Sequence, residues 1–260
     1  MRLDHALVQR GLVDSRTKAQ RRIRSGDVTV DGVVITKASH DVSDGVALHV
    51  AGEPDYVGRG ALKLLAAFDE WDISVRDLVA LDVGASTGGF TQVLLEEGAR
   101  RVIALDVGKD QLHPSVREDS RVTVVEGFNV RDLTAPWWSR EIGETPALIT
   151  CDVSFISLSQ VLPAVTDAVG VCDWVVLVKP QFEVGKGGVK DGIVRDPDLR
   201  AGAIQSVMDN AESLGLLARG LIASPISGEA GNREYLCWLS PTHGRNPPQW
   251  SEQIHLLAHS

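Results

Sequence analysis

The chain has 260 residues, enough for one large domain or for a small domain joined to a medium one. Its 43% hydrophobic and 23% charged content is ordinary for a globular protein, and no apolar run approaches the roughly 20 residues that a membrane span needs. The formal net charge of -9 argues by itself against a nucleic-acid partner, but residues 1–37 hold eight Lys/Arg against four Asp, +4, which leaves -13 for the remainder. The opening "MRLDHALVQRG" is charged and lacks the apolar stretch of a signal peptide, so a cytoplasmic protein is expected.

In the basic head, a first helix is predicted from Leu3 to Arg10, ended by Gly11. A second lies between Ser15, a good N-cap, and Gly26, a good C-cap. It carries Arg16, Lys18, Arg21, Arg22 and Arg24, while Ala19 and Ile23, four apart, share an inward face. "DVTVDGVVI" reads as a hairpin turning at Asp31-Gly32, and "ALHV" at 47–50 adds a strand. Cations concentrated on one helix beside a small sheet suit binding to an RNA backbone, although a charged helix face also suits plain solvation.

From about Tyr56 helices and strands alternate. "GRGALKLLAAF" is an amphipathic helix, "LVALDVG" a strand, "GGFTQVLLEEG" a helix, and "RVIALDVG" and "RVTVVEG" the second and third strands. "ALITCDVSF" and "DWVVLVKP" follow as the fourth and fifth. "LRAGAIQSVMDNAESLG" is a helix behind Asp196-Pro197, and "LLARGLIASP" and "EYLCWLS" close the series. The alternation predicts an α/β fold with a mostly parallel doubly wound sheet, and nearly all-apolar strands predict helices on both faces. Cys151, Cys172 and Cys237 are too far apart for a zinc site or disulfide framework and read as small core residues on strands, so no metal is expected.

In such sheets ligands bind beyond the carboxyl ends of the strands. Those ends carry "LDVGASTGGF", Asp106, Asn129 just after the third strand, Asp152 and Lys179. In the first, Gly84 and Gly88 permit close approach to a ligand, and Gly89 is expected to let the helix pack on the strand. The loop is neither the GxGxxG dinucleotide pattern nor a phosphate loop with its Lys. Asp106, about twenty residues on, can accept both ribose hydroxyls of a nucleoside cofactor. Ala85 and Ser86 between the glycines suit S-adenosyl-L-methionine better than NAD.

A lysine ending the most apolar strand, "VVLVKPQFE", is costly unless paired or neutralised. Asp152 ends a strand expected to lie beside it, and Lys63 sits on the helix before the first strand. If the last strand is antiparallel, its start brings Glu234 to the same rim. Of the remaining features, the glycine-rich stretch 185–197 reads as a mobile loop able to close over substrate or touch phosphate, or as a solvated loop. Trp137 and Trp138 read as core, and "QWSEQIHLLAHS" as a short docking helix with no assigned function.

The stretch "LDHALVQRGLVDSRTKAQRRIRSGDVTVDG" resembles the S4-type RNA-binding domain. Lys63, Asp152, Lys179 and Glu234 resemble the K-D-K-E tetrad of FtsJ-type ribose 2′-O-methyltransferases. Through "RGALKL", "LDVGASTGGFT", "ALDVGKDQL", "CDVSFISL", "VKPQFEVGKGGV" and "GNREYL", the chain over roughly residues 1–240 is similar to the TlyA family of rRNA cytidine 2′-O-methyltransferases, whose members also carry haemolysin names.

The resemblance implies a Rossmann-like class I methyltransferase domain with a seven-stranded sheet at 58–245. It implies an S4-type domain at 1–52, a linker at 53–57 and a tail at 246–260. It implies a Lys179 general base, its pKa lowered by Lys63 and partial burial, with Asp152 and Glu234 orienting the lysines and the hydroxyl. S-adenosyl-L-methionine would be held by Asp82, Gly84, Ala85, Ser86, Gly88, Asp106, Asn129 and Asp152. Ribosomal RNA in ribosomal subunits would be held by Arg2, Arg16, Lys18, Arg21, Arg22 and Arg24. A monomer with no membrane requirement is expected.

Two features depart from the family. The linker reads "PDYV", from Pro54 to Val57, where relatives carry an Arg-x-Trp-Val-like tetrapeptide, and Gly127-Phe128 stands where Arg-Thr is common. The alternatives are a non-catalytic ribosome-assembly factor, against which the intact tetrad argues, and a pore-forming haemolysin, which no amphipathic hairpin or apolar span supports.

Overall fold

The computed structural model describes residues 1–13, 16–24, 26–43, 45–51, 56–228 and 231–260, with the side chains of Thr17, Lys18 and Lys186 outside that description. Ser15 as an N-cap, the Lys18 side chain and linker residues 53–55 therefore lie outside the described residues. Two compact units are present, Met1–Tyr56 and Val57–Ser260.

The first unit holds α1 (Leu3–Gln9), α2 (Arg16–Arg24), β1 (Val28–Val30), β2 (Val33–Val34) and β3 (Leu48–Val50). The sheet runs β2-β1-β3, antiparallel throughout. Asp31 and Gly32 turn the hairpin at φ 50° and 81°, the left-handed pair that a two-residue type I′ turn needs. Leu3, Ala6, Leu7, Ala19, Ile23 and Val28 form the core. Within it Asp4 is buried and accepts from Arg2, Arg16 and Gln20 at 3.0, 3.3 and 2.8 Å. The Arg2 hydrogen bond, helped by Gln20 and Arg16, holds the Asp4 carboxyl well below the usual carboxylate range.

The second unit contains, in chain order, α3 (Ala61–Glu70), β4 (Val79–Val83), α4 (Gly89–Glu96), β5 (Arg101–Leu105), α5 (Pro114–Arg117), β6 (Val122–Val125), α6 (Ala135–Glu141) and β7 (Leu148–Cys151). Then come α7 (Leu158–Val169), β8 (Asp173–Val178), α8 (Pro180–Glu183), α9 (Pro197–Ser213), β9 (Leu217–Ala223), β10 (Tyr235–Ser240) and α10 (Ser251–His259). Seven strands form one sheet in the order β6-β5-β4-β7-β8-β10-β9. β10 alone runs against its neighbours, pairing antiparallel with both β8 and β9.

Residues of β4, β7, β8 and β10 are buried almost without exception, as both-face coverage requires. One face carries Leu81, Ile103, Ile149, Trp174 and Cys237 against Trp138, Leu162, Val165, Ile204 and Met208 of α6, α7 and α9. The opposite face carries Asp82 and Thr150, and Asp82 meets Thr91 of α4.

Three sequence expectations differ from this architecture. The helices α6 and α7 sit where none was expected. Both have start signals: Thr134 with a following Pro, and Ser157 before apolar positions at helical spacing. Residues 246–260 are integral to the second unit, because Trp250, Ile254 and Ala258 are buried and α10 packs on α9 and β9. Cys172 precedes β8 instead of lying on a strand, although all three cysteines are buried. Burial pushes the thiols of Cys172 and Cys237 up to about 12.

Candidate active site

Antiparallel pairing of Tyr235 with Val178 sets Glu234 beside the residue after β8, which is Lys179. Parallel pairing of Cys151 with Val176 brings the end of β7 to the same rim. α3 delivers Lys63 from below: Gly89 lets the first turn of α4 lie against the backbone of Gly58 and Ala61, where a Cβ would crowd it. Gly89 thus serves helix-to-helix approach, whereas packing on the strand was expected.

The four ionisable residues form a chain. Lys63 Nζ is 2.6 Å from Glu234 Oε2 and 3.8 Å from Asp152 Oδ2, and Lys179 Nζ is 2.6 Å from Asp152 Oδ1. Side-chain exposures of 9%, 2%, 17% and 10% for Lys63, Glu234, Asp152 and Lys179 keep them nearly dry. Two cations and two anions offset one another, which is what makes such burial tolerable. The charges alternate along the row, with Asp152 standing between the two ammonium groups.

Two adjoining cavities open at this rim. One, about 290 Å³, is lined by Lys63, Asp152, Lys179 and Glu234 together with Arg59, Ser154 and Phe182. The other, about 500 Å³, is lined by Asp106, Gly108, Phe128, Asn129, Val130 and Ile156. Gly84, Ser86, Asp152, Ser154 and Phe155 border both. Gly84 adopts φ 85°, and a Cβ there would run into the backbone carbonyl of Asp152. Only glycine lets the first loop come so close to the end of β7.

The larger cavity fits a nucleoside cofactor. Its volume lies in the range of small-molecule sites, roughly 300–1,000 Å³, and apolar walls accompany two acids, Asp106 and Asp152. Asp106 accepts from Ser86 N–H at 2.8 Å and Gly108 N–H at 2.7 Å, one on each oxygen, which leaves a lone pair on each for a ribose hydroxyl. Ala85 and Ser86 form the loop, Gly88 caps α4, and Asn129 lines the wall while accepting from Arg131 N–H at 3.1 Å.

Asp82 lines neither cavity. Its carboxyl is fully buried and accepts from Thr91 Oγ1 at 2.6 Å and Thr150 Oγ1 at 3.0 Å, so it braces the loop from behind instead of touching a ligand. Burial pushes it up to about 7 against the pull of the two threonines.

In the first unit the predicted RNA contacts divide. Arg2, Arg16 and Arg24 are exposed, the first two also serving Asp4. Arg21 and Arg22 are only 7% and 6% exposed. Arg22 donates to the Ala51 carbonyl and pairs with Asp27 at 3.3 Å.

Three residues that sequence reasoning passed over hold the rim together. Glu126 accepts from the N–H groups of Asp110, Gln111 and Leu112 at 3.0–3.1 Å and from Arg117. Although burial pushes it up, those donors hold it at about 2. Glu183 accepts from Ser157 Oγ at 2.5 Å and Leu158 N–H at 2.9 Å. Ser154 accepts from Lys179 Nζ at 3.0 Å. Each lies in a motif already singled out, but nothing in the motifs tells which polar neighbour a side chain will choose.

The stretch 185–197 is tied down in part. Asp191 and Gly192 turn at φ 52° and 77° between Lys190 and Ile193, which form a bridge. Asn232 accepts from Val194 N–H and donates to Gly192 O. Among the described side chains none from 185–197 lines either cavity. Trp138 is buried, and Trp137 packs on Phe128 with ring centroids 4.5 Å apart. No described helix is long and apolar enough to cross a membrane.

Known families and proteins match the chain over most of its length. A family model described as FtsJ-like methyltransferase matches residues 56–240, and one described as S4 domain matches residues 1–48. The chain is 47% identical over 242 residues to the 16S/23S rRNA (cytidine-2′-O)-methyltransferase TlyA of Mycobacterium tuberculosis, covering 92% of this chain and 89% of that protein. It is 42% identical to Hemolysin A of Brachyspira hyodysenteriae, over 91% and 98% of the two chains. A solved Streptococcus thermophilus structure that carries a hemolysin name superposes with a TM-score of 0.74 at 36% identity, covering 100% and 95%.

Proposed function

The chain belongs to the FtsJ-like methyltransferase family, with an S4 domain at its N-terminus, and from that premise we propose that it methylates the ribose 2′-hydroxyl of a cytidine in ribosomal RNA, using S-adenosylmethionine. The observation that carries the reading is the alternating row Glu234–Lys63–Asp152–Lys179 at the junction of the two cavities. The relative named above as a 16S/23S rRNA (cytidine-2′-O)-methyltransferase supports the choice of cytidine and of ribosomal RNA.

Asp106, the loop around Gly84 and Ser86, and the wall from Phe128 to Val130 would hold the cofactor in the larger cavity. When bound, S-adenosylmethionine supplies an electrophilic methyl carbon on a sulfonium. The ribose would enter the smaller cavity, where Lys179, once its ammonium has released a proton to solvent, would take the proton of the 2′-hydroxyl. The oxygen would bond to the methyl carbon while the carbon–sulfur bond breaks, its electron pair staying on sulfur as the neutral thioether. Asp152 holds Lys179 in place, and Glu234 does the same for Lys63, whose charge favours the developing alkoxide. Little else is required, because alignment of oxygen and carbon supplies much of the rate. The exposed arginines of the first unit would grip the RNA backbone, with a ribosomal subunit as substrate and a monomer as the working form.

The test is methyl transfer from labelled S-adenosylmethionine to purified ribosomal subunits that lack the modification, with the product mapped to the nucleotide. Wild type should leave a 2′-O-methylcytidine. Lys179→Ala and Lys179→Arg should leave none, since neither side chain can take the proton at neutral pH. An active Lys179→Arg variant would remove the base role. A silent wild type that still binds cofactor would favour a non-catalytic assembly factor.

A further inference from the structure

Lys179 has to present a lone pair, and not an N–H, to its substrate, and we infer that Ser154 is the residue that aims it. The inference rests on the methyltransferase reading above and deepens it. Lys179 Nζ donates to Ser154 Oγ at 3.0 Å and lies 2.6 Å from Asp152 Oδ1. Both oxygens come from one turn directly after β7. A free amine has two N–H groups and one lone pair; the negative Asp152 carboxylate draws an N–H towards it and repels the lone pair, and Ser154 Oγ, acting as the acceptor it is here, fixes the second N–H. With Asp152 alone, the amine can roll about its Cε–Nζ bond and offer the cavity either face. Ser154 removes that freedom. The Phe182 ring, 5.9 Å from Nζ, covers a further side. The lone pair is left facing the 290 Å³ cavity that Lys179 and Ser154 both line.

The turn is built to hold Ser154 still. Asp152 N–H donates to Val83 O at 3.0 Å, which anchors its start to β4. Phe155 takes φ 65°, a left-handed conformation that costs a non-glycine residue about 1 kcal/mol or more and persists only where its surroundings enforce it. At the far end Glu183 accepts from Ser157 and Leu158. Glu183 ends α8, the helix that Lys179 itself opens. The segment that carries the lysine thereby clamps the turn that orients it, and Ser154 is a positioning residue acting through Lys179.

The experiment compares wild type, Ser154→Ala and Ser154→Thr on ribosomal subunits, with cofactor binding measured separately. Ser154→Ala should lower kcat about tenfold, the worth of one hydrogen bond at the reacting group. The KM for RNA and the Kd for S-adenosylmethionine should stay within about twofold, because the residue sets a lone-pair direction and not an affinity. Ser154→Thr keeps the hydroxyl and should recover most of the rate. An unchanged kcat in the alanine variant, a loss confined to KM or Kd, or a loss that threonine does not restore would overturn the inference. A wild type that binds cofactor yet methylates no RNA would overturn the methyltransferase reading itself, and is distinguishable from an active wild type with an indifferent Ser154.

Discussion

Asp82 shows how far a single side chain can depart from what its motif leads one to expect. It lies on β4 just before a glycine loop that points to cofactor binding, yet its carboxyl faces inward to Thr91 and Thr150. Burial raises its pKa to about 7, well above the ordinary carboxylate range. Between about pH 4 and pH 7 the folded chain therefore keeps a proton that the unfolded chain has released, and stability falls as pH rises through that window, by on the order of 4 kcal/mol. Asp82→Asn should flatten this limb in denaturant titrations; a limb unchanged in the variant would assign it to other groups. Asp4 works in the opposite sense. Its depressed carboxyl lends stability above about pH 4 that is lost on acidification. Lys179 and Asp152 were legible in the sequence because strand ends in a doubly wound sheet are ligand positions whatever the side-chain detail. Arg22 is buried for a reason its spacing contains: it lies three residues after Ala19, hence on the inward face of α2.

Among the elements, α10, expected as a short docking helix, contributes directly to the main core. Taken alone, "QWSEQIHLLAHS" offers few apolar positions and no motif. In place, Trp250 and Ile254 join the core, and Arg200 of α9 donates from Nε and Nη2 to the Ala258 carbonyl at 3.1 and 2.6 Å. Deleting residues 246–260 should cost roughly 3–6 kcal/mol from the two large side chains, before counting the buried guanidinium left without that acceptor. A fall in melting temperature on the order of 10 °C is expected by calorimetry; a shift of a degree or two would mean that α10 is dispensable packing. The strands were easier to read than the helices, since β4, β7 and β8 are apolar runs with glycine or polar ends. α7 was hidden by its interior Pro163, which argues locally for a break.

At the scale of the whole chain the charge asymmetry is the legible feature, with +4 on residues 1–37 and -13 on the rest. It predicts RNA affinity that falls steeply with salt, each phosphate contact contributing about -0.9 to the log–log slope on a duplex and about -0.7 on a single strand. Arg24, exposed at the end of α2, is a better probe than the buried Arg21 and Arg22. Arg24→Ala should weaken binding alike across RNA sequences and reduce the slope by about 1. An unaltered slope would place the contact elsewhere. The alternation of strand and helix was enough to give the sheet and its mostly parallel sense. It could not give the three-dimensional row of lysines and acids, because that depends on register between strands far apart in the chain.

That separation has a consequence in time. Lys63 and its partner Glu234 lie 171 residues apart. A ribosome adding about 5–20 residues per second needs on the order of 10–30 s to travel between them. Over that interval the nascent chain, its S4 domain already made, adds the strands from β4 to β9, while β10 has not yet returned to the rim. The row Glu234–Lys63–Asp152–Lys179 therefore completes only after Glu234 leaves the ribosome, and the rim of the sheet is among the last parts of the second unit to be assembled.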